Sequence, residues 1–193
     1  KARLYPILFV LRIFSIGFII IALSRPQTTE VSEDTLKKEG IDIMIAMDIS
    51  SSMLAEDFKP NRLEAAKELV IQFIERRKND RIGLVTYASK SFTQCPLTTD
   101  HDILINTMNK VKTGILTDGT AIGVGIANCV NRLKDSKADS KIIILLTDGE
   151  NNSGVIDPIS AAHMAKEFNI KTYTIGVGSY GTAPYPGKDI FDR

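Results

Sequence analysis

An α/β fold built on a mostly parallel sheet with helices on both faces is what this sequence predicts, and three observations predict it. Strongly apolar runs recur, Ile41–Met47 and Lys141–Leu146 above all. Those two runs end close to an aspartate, Asp48 and Asp148. Segments of helical periodicity separate the runs, so strand and helix alternate along the chain. Apolar runs without polar alternation belong to strands covered on both faces, as in parallel sheets.

The elements follow in order. Leu4 to Leu23 is almost wholly apolar, interrupted by Arg12, Ser15 and Gly17. Twenty residues of helix rise about 30 Å, the thickness of a bilayer's hydrocarbon core. Residues 1–24 are therefore expected to form a transmembrane helix, with Arg12 as its weak point at a cost of at least ~2.5 kcal/mol if it stayed at mid-membrane. Lys1 and Arg3 lie ahead of the span, and Glu30, Glu33 and Asp34 lie beyond it. The positive-inside rule then puts the amino-terminal flank in the cytoplasm and the globular part outside. Residues 25–40, with Pro26 and alternating polar residues, read as a juxtamembrane linker, and 41–193 as the folded domain.

Within that domain Ile41–Asp48 is the first strand. Pro60-Asn61 opens a helix whose Leu63, Ala66, Val70, Phe73 and Ile74 recur at helical spacing. Asn79-Asp80 ends it, and Arg81–Ala88 is the second strand. Ser91–Pro96 reads as a short antiparallel partner. Helices over His101–Lys110 and Ala121–Leu133 precede the strand Lys141–Thr147. A helix over Pro158–Phe168 leads to a last strand, Lys171–Gly178.

Composition narrows the function. The chain of 193 residues carries 24 Lys and Arg against 23 Asp and Glu, so it lacks the basic face that nucleic-acid binding needs. Two cysteines, Cys95 and Cys129, are too few for a disulfide framework. Cys129 shares a helical register with Ile122, Ile126 and Leu133 and reads as a buried hydrophobe; whether it pairs with Cys95 is left open.

The chemistry gathers at the ends of the two most apolar strands. Asp48-Ile49-Ser50-Ser51-Ser52 offers a carboxylate and two hydroxyls at alternate positions, three oxygens on one side of a tight loop. Such hard donors suit Mg²⁺ or another small divalent cation. Asp148-Gly149 follows the second apolar run, and Asp118-Gly119-Thr120-Ala121-Ile122-Gly123 sets a glycine-framed hydroxyl at a helix start. Taken singly, Ser50 and Ser52 are ordinary turn caps and Asp148-Gly149 an ordinary turn. Together they suggest that Asp48, Ser50, Ser52, Thr120 and Asp148 share one cation. Thr113 and Thr117 are rival hydroxyls outside the glycine frame. Asp118 is an outer-shell candidate; Glu150 reads as a solvated turn carboxylate, with a place on the rim as the alternative.

This triple signature resembles the von Willebrand factor type A (VWA) domain with its metal-ion-dependent adhesion site (MIDAS). The resemblance implies a Rossmann-like sheet, truncated here before a last strand and helix. It also implies a Mg²⁺, Mn²⁺ or Ca²⁺ ion whose open position takes an Asp or Glu side chain from a protein partner. Ser51 stands where many members have glycine. The stretch Ala22-Leu23-Ser24-Arg25-Pro26-Gln27, the run Asp42–Asp48 and the segment Ser52–Leu63 are similar to the bacterial aerotolerance (Bat-type) membrane proteins. That likeness implies a place in the bacterial inner membrane, beside sister VWA proteins and a MoxR-type ATPase, with a role in envelope maintenance or stress tolerance.

Rival readings are weaker. A metal-assisted phosphoryl-transfer enzyme with Asp48 as nucleophile wants a second carboxylate two residues on, where Ser50 stands. A scaffold that never loads metal is the third reading. Gly176-Val177-Gly178-Ser179-Tyr180-Gly181 spells a dinucleotide fingerprint, but Pro184 and Pro186 oppose the helix it requires. Of the only two histidines, His101 reads as a surface residue at a helix start and His163 lies among Ala161, Ala162 and Met164 on a helix; no Gly-x-Ser-x-Gly elbow is present. Asn151-Asn152-Ser153 fits a glycosylation acceptor, relevant only in a secretory setting.

Overall fold

The first apolar run sits at the centre of the sheet. In the computed structural model, which describes residues 5–23, 40–179 and 183–186, β1 (Asp42–Asp48) is buried along its whole length. It lies between β2 (Arg81–Tyr87) and β4 (Lys141–Thr147), both parallel to it. Antiparallel β3 (Ser91–Thr98) borders β2 and parallel β5 (Ile170–Gly176) borders β4, giving the order β3-β2-β1-β4-β5. β3 runs past Pro96, where the sequence suggested it would stop. An edge strand tolerates a proline, and the β2–β3 register shifts on either side of Leu84.

Alternation along β1 divides the core in two. Ile43, Ile45 and Met47 pack with Leu63, Val70 and Ile74 of α2 (Arg62–Glu75) and Leu104 and Met108 of α3 (His101–Lys110). Met44 and Ala46 pack with Ile126, Cys129 and Leu133 of α4 (Ile122–Leu133) and Ala161 and Ala165 of α5 (Pro158–Glu167). Each large buried side chain contributes roughly 1.5–3 kcal/mol to keeping these layers together. Cys95 belongs to the first cluster and Cys129 to the second. Both are free and buried, on opposite faces of the sheet.

The connectivity creates one special edge. From β1 the chain moves outward to β2 and β3, then crosses back to β4 on the other side of β1. Neighbouring strands whose connections leave in opposite directions open a crevice beyond their carboxyl ends. Asp48 closes β1 at that edge, and Asp148 follows β4 there. The opposite edge is locked by Asp42, whose buried carboxylate accepts from Arg81 Nε at 2.7 Å and from Arg81 Nη2 at 2.5 Å. The Ser136 hydroxyl also donates to it.

The chain divides into two units, residues 1–36 and 37–193. In the first, α1 (Tyr5–Leu23) forms over the apolar segment, with Phe9, Phe14 and Phe18 exposed. The membrane span expected over 1–24 is not shown: among the described residues no helix is long and apolar enough to cross a membrane. The helix has 19 residues, a rise of about 28 Å at 1.5 Å per residue, with Arg12 within it. The proposed linker over 25–40 lies outside the described residues except for Gly40.

Candidate metal centre

Asp48 is fully buried where β1 ends. Its Oδ1 accepts from the Ser50 N–H at 2.9 Å, which folds the loop back on the strand. Its Oδ2 accepts from the Thr147 hydroxyl at 3.0 Å. Burial pushes the Asp48 carboxyl above its ordinary value, outweighing the hydrogen bonds that lower it. A carboxylate desolvated to this degree is stabilised in its charged form by a cation placed against it.

Past Ser50 the chain winds into a short 3-10 turn, Ser51–Leu54. The turn brings the Ser50 and Ser52 hydroxyl oxygens within 3.0 Å of each other. Ser52 then donates to Asp148 Oδ1 at 2.7 Å, and the Asp148 side chain is fully buried. Hydrogen bonds thus link Asp48, through the Ser50 N–H, and the Ser50 and Ser52 hydroxyls to Asp148 across the crevice.

Thr120 stands on a third loop, which Asp118 ties to the first. Asp118 accepts from both the backbone N–H and the hydroxyl of Ser51, at 2.9 and 2.6 Å. Those bonds hold its carboxyl below the usual range and fasten the two loops together. Gly119 takes φ 130°, in the region that favours glycine, and a side chain there would strike Ser153 Oγ. Thr120 is buried. Its N–H donates to Asn152 Oδ1 at 2.8 Å, and its carbonyl accepts from the Asn152 and Ser153 N–H groups.

The residues expected at the site are therefore placed on three neighbouring loops. Asp118 serves as a clamp between loops, with both oxygens engaged by Ser51. Glu150 is exposed on its turn. Two residues escaped the sequence reading. Asn152, seen there as part of a glycosylation acceptor, anchors Thr120. Arg62 donates from Nη1 to Asp148 Oδ2 at 2.9 Å, and its place at the first turn of a helix gave no sign of this.

The donor set fits a hard divalent cation: two carboxylates and three hydroxyls, all oxygen. Among the described residues no three His, Cys, Asp or Glu side chains cluster as a metal site. Other motifs resolve structurally. His101 Nε2 lies 3.0 Å from the Asp80 carbonyl. Gly178 lies against the Arg62 guanidinium, where a Cβ would come within 3.2 Å of Nη2.

Comparison with known proteins agrees with this fold. The family model of the von Willebrand factor type A domain matches residues 42–185. An aerotolerance-related membrane protein from Bacteroides fragilis is 34% identical, with a TM-score of 0.73 over 79% of this chain and 75% of that one. BatB from Bacteroides thetaiotaomicron is 33% identical, with a TM-score of 0.67 over 76% and 75% of the two chains. A Borreliella burgdorferi protein is 41% identical over 72% of this chain and 41% of its own length. The chain spans about half the length, or less, of the curated relatives it matches. The chain belongs to the von Willebrand factor type A domain family, and its structural neighbours are Bat-type aerotolerance proteins.

Proposed function

We propose that this domain is a divalent-metal-dependent protein-binding module, in which Asp48, Ser50, Ser52, Thr120 and Asp148 hold Mg²⁺, or Mn²⁺ or Ca²⁺ in its place. The observation that carries the reading is the run of hydrogen bonds from Asp48 through Ser50 and Ser52 to Asp148 at the crevice of the sheet. Two carboxylates just balance a divalent charge and the hydroxyls add none. A coordination position left to water then remains attractive to an Asp or Glu side chain of a partner protein. Mg²⁺ keeps several waters, which leaves room for that exchange.

The reading is non-enzymatic. A phosphoryl-transfer site would need an acid/base two residues after Asp48, and Ser50 there is engaged with Ser52 and carries no charge. The Bacteroides fragilis neighbour is described as a membrane protein, and on that likeness we place the domain at a bacterial inner membrane, on its outer side. Sister VWA proteins and a MoxR-type ATPase are the partners that the Bat-type likeness suggests.

Calorimetric titration of Mg²⁺ and Mn²⁺ into the wild type and Asp48→Ala tests the reading. Saturable binding by the wild type and a loss of more than about 100-fold in the variant support it. No heat at millimolar ion favours a metal-free scaffold instead. Hydrolysis of a phosphate ester that depends on Mg²⁺ and on Asp48 favours the enzyme.

A further inference from the structure

Arg62 opens α2 yet has little contact with solvent, its side chain being 13% exposed. Nε and Nη2 donate to the two oxygens of Asp57 at 2.8 and 2.9 Å. Asp57 is held in turn by the N–H and hydroxyl of Ser179 at 2.8 and 3.0 Å. The guanidinium is planar and rigid, so this fork fixes the direction of its remaining nitrogen. That nitrogen, Nη1, meets Asp148 Oδ2 at 2.9 Å.

Asp148 has two oxygens, and Ser52 already donates to Oδ1. Oδ2 is the oxygen left for a cation, and Arg62 holds it. The fork to Asp57 does not depend on Asp148. Beside it opens a cavity of about 540 Å³ lined by Arg62, Asp148, Gly176 and Ser179 among others. Asp48, Asp57 and Asp148 together bring three negative charges, and Arg62 reduces them to two, the charge of one divalent ion.

Resting on the metal reading above, we propose that Arg62 is an internal competitor for the divalent cation. Nη1 occupies Asp148 Oδ2 until the ion takes that oxygen, so loading is an exchange of cations. Arg62 therefore sets the ion concentration at which the site fills. The opposite role, a prop that holds Asp148 ready for the ion, predicts the reverse effect of removing it.

The experiment is calorimetric titration of Mg²⁺ and electron paramagnetic resonance titration of Mn²⁺, using the full chain as wild type, Arg62→Gln and Arg62→Lys. The competitor role predicts that Arg62→Gln binds either ion roughly tenfold more tightly or better, because a unit positive charge beside the ion is gone. Arg62→Lys keeps the charge but loses the fork that aims it at Asp148, so it binds the ion no more weakly than the wild type and less tightly than Arg62→Gln. In chelator Arg62→Gln melts below the wild type, and saturating Mg²⁺ raises its melting temperature by more. Equal or weaker binding by Arg62→Gln overturns the proposal. So does a large loss in Arg62→Lys, a result that reads out even where Arg62→Gln does not fold. Binding by the wild type with no gain in Arg62→Gln defeats this inference alone; silence from both proteins defeats the metal reading with it.

Discussion

Ser52 and Asp148, 96 positions apart in sequence, share a 2.7 Å hydrogen bond in which the serine hydroxyl donates to Oδ1. The bond joins the loop after β1 to the loop after β4 across the point where the strand connections diverge. A single side chain thereby serves both as a donor oxygen of the candidate site and as the tie that positions a second donor.

Ser52→Ala removes both roles. Affinity for Mg²⁺ is expected to fall by 10–100-fold or more, with a loss of about 1–3 kcal/mol in stability because the acceptor is a charged group. Calorimetry and denaturant melts measure the two effects separately.

Thr120→Val separates ligation from folding. The anchoring of Thr120 to Asn152 and Ser153 uses its backbone, so the valine variant keeps the loop in place. Its melting temperature in chelator should match the wild type within a few degrees. Its ion affinity should fall about tenfold or more.

Acid sensitivity should arise at Asp57 and Asp118. Hydrogen bonds from Arg62 hold the Asp57 carboxyl below its ordinary value of 3.8, and those from Ser51 do the same for Asp118. A depressed folded value means that the unfolded chain binds protons first. These groups therefore stabilise the fold above about pH 4 and lose that contribution as pH falls toward their folded values. Melts between pH 5 and 2 should show a shallower decline for Asp57→Asn and Asp118→Asn than for the wild type.

Gly123→Ala should be costly although the residue lies outside the site. A Cβ there would sit 2.0 Å from the Ile156 carbonyl oxygen, a backbone atom that cannot turn aside. Overpacking of this kind costs about 2–3 kcal/mol, measurable by urea denaturation.

The sheet was legible because Ile41–Met47 and Lys141–Leu146 are apolar without alternation, and because an aspartate lies close after each. The alternate spacing of Asp48, Ser50 and Ser52 likewise carries its geometry in the sequence, since a tight loop sets such positions on one side. Arg62 was illegible for a physical reason: a basic residue in the first turn of a helix looks like a solvated charge. Only the folded chain brings Asp57, Asp148 and Ser179 around it. Asn152 was hidden in the same way, its role fixed by a partner 32 positions away. The apolar amino-terminal segment was read correctly as a helix; among the described residues no helix is long and apolar enough to cross a membrane.

The most direct test is anomalous diffraction from crystals soaked in Mn²⁺. The account predicts one strong peak among Asp48, Ser50, Ser52, Thr120 and Asp148, with the nearest oxygens at about 2.0–2.3 Å. A site without such a peak at millimolar Mn²⁺, or an ion bound elsewhere with Asp148 still held by Arg62, would contradict it.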